Sequence, residues 1–142
     1  MTSFSFWQRW LLVVDIGIVV FGIMMALLSG TPLFRSFNRQ IDPAFWGANP
    51  VADEAQAFQK WIYGVWGATV AGWGVFLTFV ARFPFGKKEK WAWQCLVVGL
   101  LVWFVLDTVI SLNYQVYFNA AFNTALLILV APPIAFTREY CA

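Results

Sequence analysis

Two acids, Asp15 and Asp107, interrupt long apolar runs. A carboxylate in such a setting must be paired, protonated or in use, because leaving it bare in hydrocarbon is strongly unfavourable. Around Asp107 the spacing gathers more polar groups. Trp103, Asp107 and Ser111 recur every fourth residue and share one helix face, and Asn119 and Asn123 share another just after a polar turn. These residues can meet at one depth, with Trp66 and Tyr63 at a similar level as aromatic walls. Two readings fit. One is a buried polar clamp between two helices. The other is an outward-facing pocket for a lipid-like or small amphipathic or cationic molecule, since a carboxylate with aromatic faces suits such a ligand. Asp15 is expected near the inner interface, roughly 8 Å into its run, with Arg82, Gln94 and Arg138 as partners at matching depth and a structural role. The two acids then lie at opposite depths, which argues against a catalytic carboxylate pair or a shared metal site.

Other chemistries are removed by what the chain lacks. It has no histidine and only two cysteines, Cys95 and Cys141, far apart in sequence. That excludes His-ligated haem, Ser-His and Cys-His catalysis, a CxxC redox pair and a four-sulfur metal frame. No glycine motif that would cradle phosphate follows a strand. No cofactor or metal is expected. A carboxylate-based membrane enzyme and a small transporter or proton-coupled carrier using Asp15 or Asp107 stay open as alternatives. The favoured reading is a non-catalytic accessory or structural protein.

The elements that must position these residues follow from composition. The chain is 61% hydrophobic and 11% charged over 142 residues, whereas soluble domains carry about 25% charged residues, so the bilayer is its natural solvent. A formal charge of +2 spread along the chain cannot form the basic stripe that nucleic acid requires. A span needs roughly 20 apolar residues, and four runs qualify, at about residues 10–28, 61–81, 91–112 and 120–136. The expected fold is all-α, a single membrane domain over 1–142 built as an up-down four-helix bundle. The first run is too long for a signal-peptide core and lacks a small-x-small cleavage pattern, so it reads as a retained helix. Pro132 and Pro133 are expected to kink or end the fourth span.

The loop over 30–60 has Leu33, Phe34, Phe37 and Ile41 at helical spacing. A short interfacial helix broken at Asp42-Pro43, and a loop whose aromatics pack over the bundle, fit equally. Asn49-Pro50 followed by Asp53 and Glu54 suggests that the second span begins outside the membrane. In the first span Asp15, Gly22, Ala26 and Ser29 share a face that should look inward. In the second, Gly64, Ala68 and Gly72 have the small-xxx-small spacing that lets two backbones approach. The neighbour is another helix of the bundle, a partner membrane protein or a second copy in a homodimer.

Orientation rests on the basic residues. Arg9, Arg82, Lys87, Lys88, Lys90 and Arg138 fall on one side, against Arg35, Arg39 and Lys60 on the other. The excess places both termini in the cytoplasm. The run Trp61-Ile62-Tyr63-Gly64-Val65-Trp66-Gly67-Ala68, the later Gly72-Trp73-Gly74 and Trp103-Phe104-Val105-Leu106-Asp107-Thr108 resemble small uncharacterised bacterial four-helix membrane proteins. The resemblance covers about residues 58–138. It implies the four-span fold and the bacterial inner membrane, with no activity and no catalytic residue attached.

Overall fold

The computed structural model describes residues 3–141. Within them the chain forms α1 (Phe4–Leu28), α2 (Arg35–Trp46), α3 (Asp53–Arg82), α4 (Lys90–Asn113) and α5 (Tyr117–Thr137), with short 3-10 turns at Pro32–Phe34 and Arg138–Tyr140. All the regular structure in the described residues is helical. The four helices other than α2 are long and apolar enough to cross a membrane.

Every long helix outruns its apolar run. α1 starts at Phe4 rather than near Trp10, α3 at Asp53 and α5 at Tyr117. A helix has no reason to stop where hydrocarbon ends, since each further residue still satisfies a backbone group internally. Asp53 and Glu54 in the first turn of α3 also complement the helix dipole. At 30 residues, α3 extends about 45 Å, longer than the roughly 30 Å of a hydrocarbon core. In its polar first turns Gln59 donates from Nε2 to Asp42 Oδ1 at 2.5 Å, tying α3 to α2.

Neither set of prolines ends its helix. Pro43 lies inside α2, which continues to Trp46. The last turn is held from outside. Gly47, at a φ of 60°, donates to Pro43 O at 3.1 Å, and the Phe45 ring lies 5.9 Å from that of Tyr114. The segment is thus a helix, and its aromatics also pack over the bundle, with Phe37 5.5 Å from Phe118 and 6.3 Å from Phe21. Pro132 and Pro133 likewise sit inside α5, which runs on to Thr137. Pro133 has no N–H to give Leu129 O one turn earlier, and the Trp10 indole fills that place, donating from Nε1 at 2.8 Å. Ile134 O receives the Trp93 indole at 2.9 Å. The borrowed Trp10 indole thus satisfies the carbonyl that Pro133 leaves free in an apolar setting.

In space the long helices run in the order α3, α1, α5, α4, and α3 and α4 touch little. The tightest contact is between α1 and α3. A Cβ on Gly22 would come within 2.4 Å of Ala71 N, and one on Gly67 within 2.4 Å of Ala26 N. At Gly74 it would meet Val19 Cγ2 at 2.8 Å. Two backbones therefore lie against each other through Gly22-xxx-Ala26 and Gly67-xxx-Ala71. The expected seam of Gly64, Ala68 and Gly72 is displaced around the helix. Gly64 is at its edge, where a Cβ would lie 3.8 Å from Ala26 O, Ala68 is exposed, and a Cβ on Gly72 would meet nothing within 4 Å. Adjacent helical positions differ by about 100°, so α1 can engage only one of two overlapping small-residue sets.

At the end of the α3–α4 turn the bundle closes on a buried cluster that includes Leu11, Ala81, Phe85, Ala92 and Leu96. Gln8 donates from Nε2 to Ala81 O at 3.1 Å and to Arg82 O at 3.3 Å, capping α3. The Lys88 ammonium lies over the Phe4 and Tyr140 rings at 5.4 and 5.3 Å.

Gly67→Val is expected to destabilise the protein by at least about 1–3 kcal/mol through overpacking, whereas Gly72→Val should stay within about 0.5 kcal/mol of the parent. Thermal unfolding followed by circular dichroism in a mild detergent checks the pair. Equal losses in the two variants would place the helix contact elsewhere.

Candidate functional site

The sequence places Asp107 six residues before the end of α4, and the tight turn to α5 folds Asn119 and Asn123 back against it. Asp107 Oδ1 accepts from Asn119 Nδ2 at 2.6 Å, Asn123 Nδ2 at 2.9 Å and Ser111 Oγ at 3.2 Å. Asn119 also donates to Ser111 Oγ at 2.8 Å, and Asn123 to Thr108 Oγ1 at 3.3 Å. All these donors converge on Oδ1. The four residues expected to meet do so, and they join α4 to α5. Thr108 was missed because it stands one residue off the Asp107 face, but the reach of Asn123 brings it in.

Beside this cluster lies a cavity of about 640 Å³. It follows from the helix order, because α3 is held to α1 while α4 is held to α5, so α3 and α4 diverge from their connecting turn and leave a slot between them. Trp103, Asp107, Asn119, Asn123, Trp66 and Tyr63 all line it, whereas Ser111 supports Asp107 from behind the wall. Trp73 on α3 and Gly99 on α4 line it too, and a Cβ on Gly99 would meet nothing within 4 Å. At the α2 end Phe34, Phe37 and Ile41 roof it, and Phe34 is buried. Sequence reasoning did not assign those three to the pocket. Their helical spacing signalled an apolar face without saying what it would cover.

Asp15 lines the same cavity. It is buried at 2% exposure, and its Oδ2 has no hydrogen-bond partner. The expected partners are not there, since Arg82, Gln94 and Arg138 are all exposed. Asp15 lies about eleven residues, or roughly 16 Å of helix, beyond the start of α1 at Phe4. The ring pairs Trp7–Phe136 at 5.0 Å and Phe21–Phe122 at 5.4 Å, with the Trp10 indole on Leu129 O, bracket the register of α1 against α5. By those contacts Asp15 is level with about residues 124–128. Asp107, level with Asn119 and Asn123, is then about three to seven residues higher, roughly 5–10 Å along the bundle. The two acids are separate positions in one cavity, not residues at opposite faces.

No Lys or Arg is among the described residues that line the cavity, and among the described residues no group of three His, Cys, Asp or Glu could hold a metal ion. Both cysteines are free thiols. Burial pushes the Cys141 thiol up, against an opposing pull from Lys88. No protein-family model, curated protein or solved structure matches the chain.

A double-mutant cycle on Asp107→Ala and Asn119→Ala is expected to give a coupling of about 0.6–1.7 kcal/mol in detergent unfolding, the range for hydrogen bonds between membrane helices. Additive losses would mean that the pair does not join α4 to α5.

Proposed function

We propose that this is a non-catalytic membrane protein that holds one lipid-like or small amphipathic molecule in the cavity between its helices. The observation that supports the reading is a chamber of about 640 Å³ whose walls are mostly apolar, with a few polar groups at Asp107, Asn119, Asn123 and Asp15. That size and that mix of surfaces are those of small-molecule pockets, where apolar walls give area and a few polar groups give orientation. The weak contact between α3 and α4 favours entry sideways from the lipid, past Trp66 and Trp73. We further place the protein in a bacterial inner membrane with both termini in the cytoplasm, on the resemblance stated above and on the concentration of basic residues in the α3–α4 turn and near the two ends.

Protein extracted in mild detergent from its native membrane should carry an amphipathic adduct in native mass spectrometry. Gly99→Phe, which fills the cavity where space is open, should lose it. An adduct that survives this change, or none in the parent protein, overturns the reading. For the orientation, a single cysteine at Lys87 in a Cys95→Ser, Cys141→Ser background should react with a membrane-impermeant maleimide only after the cells are opened; labelling of intact cells reverses the topology.

A further inference from the structure

The cavity holds two carboxyl groups that are satisfied in different ways. Asp107 has three donors on Oδ1 from its own bundle. Asp15 is more deeply buried and its Oδ2 has none. Its own helix offers nothing nearby, since Leu11, Ile18 and Gly22 are the neighbours one and two turns away on its face. At its level the other helices contribute Leu77, Leu100 and Val130 to the cavity wall. A carboxyl group in such a place lacks a partner that the protein does not supply. For a carboxylate the matching partner carries a positive charge or a hydrogen-bond donor, and a cation suits the site best. The described cavity lining has two acids and no base, and it includes Trp66, Trp73 and Trp103, residue types whose ring faces attract a desolvated cation.

Building on the proposal that the cavity is a binding site, we infer that Asp15 is its ion-pairing position and that the occupant is an amphipathic amine or quaternary ammonium compound rather than a neutral or anionic lipid. The ammonium pairs with Asp15 in a low-dielectric setting, where the attraction is far stronger than in water. The apolar body lies along the slot between α3 and α4. The Asp107 cluster keeps its own hydrogen bonds and serves as a secondary polar contact.

Two probes of matched chain length test this: dodecyltrimethylammonium and 1-dodecanol, titrated against the full chain in phosphatidylcholine nanodiscs. Tryptophan emission is the readout, with partition into empty discs subtracted. The parent protein should bind the cation at least about tenfold more tightly than the alcohol, a difference of about 1.4 kcal/mol. Asp15→Asn should remove that preference and leave alcohol binding unchanged, and Gly99→Phe should weaken both. If Gly99→Phe alters neither, the cavity is not the site and both proposals fall. If it weakens both while the parent protein binds the two probes equally, the cavity stands and the cation assignment is overturned, a comparison that needs no Asp15 variant to fold. A cation preference that persists in Asp15→Asn overturns the role of Asp15.

Discussion

The architecture depends on the backbone contact between α1 and α3. Gly22, Gly67 and Gly74 leave no room for a Cβ, so the two helices are held at a distance that no larger side chain permits. In lipid there is little hydrophobic gain from pressing one apolar helix on another, and close packing of small residues replaces it. α3 is held to α1 and touches α4 little, and the cavity occupies the slot that this leaves between α3 and α4.

Polar groups in the bundle obey the same shortage of partners. Where water is absent, each donor and acceptor must be matched inside the protein, and most are. The carbonyl of Leu129, freed by Pro133, takes the Trp10 indole, Ile134 O takes that of Trp93, and Asp107 gathers two amides and a hydroxyl. Against this thrift two buried oxygens are bare among the described residues, Asn38 Oδ1 on α2 and, within the long helices, Asp15 Oδ2. Asp15 gives the cavity a chemical preference as well as a shape, because an unmatched carboxyl group among apolar and aromatic walls selects what may enter.

Much of this was legible in the residues. Four apolar runs gave four helices, and the meeting of Asp107, Ser111, Asn119 and Asn123 followed from four-residue spacing on either side of one turn. The inward face of Asp15, Gly22 and Ala26 was also readable, since few polar or small residues break an apolar helix without cause. Helix ends were read less well. Apolarity marks where hydrocarbon lies, whereas backbone hydrogen bonding decides where a helix stops, so α1 begins well before Trp10 and α2 passes through Pro43.

Composition and periodicity by themselves determined the solvent, the number of long helices and which side chains on one helix share a face, because these depend only on local spacing and on the transfer of side chains to lipid. The tertiary structure decided which small residues touch, since α3 carries two overlapping sets and only the approach of α1 chooses Gly67, Ala71 and Gly74. It also decided that Asp15 and Asp107 share one chamber, roughly 5–10 Å apart along the bundle. Relative depth comes from the register between helices, set by contacts such as Trp7 with Phe136 and Phe21 with Phe122, and no spacing within a single helix contains it.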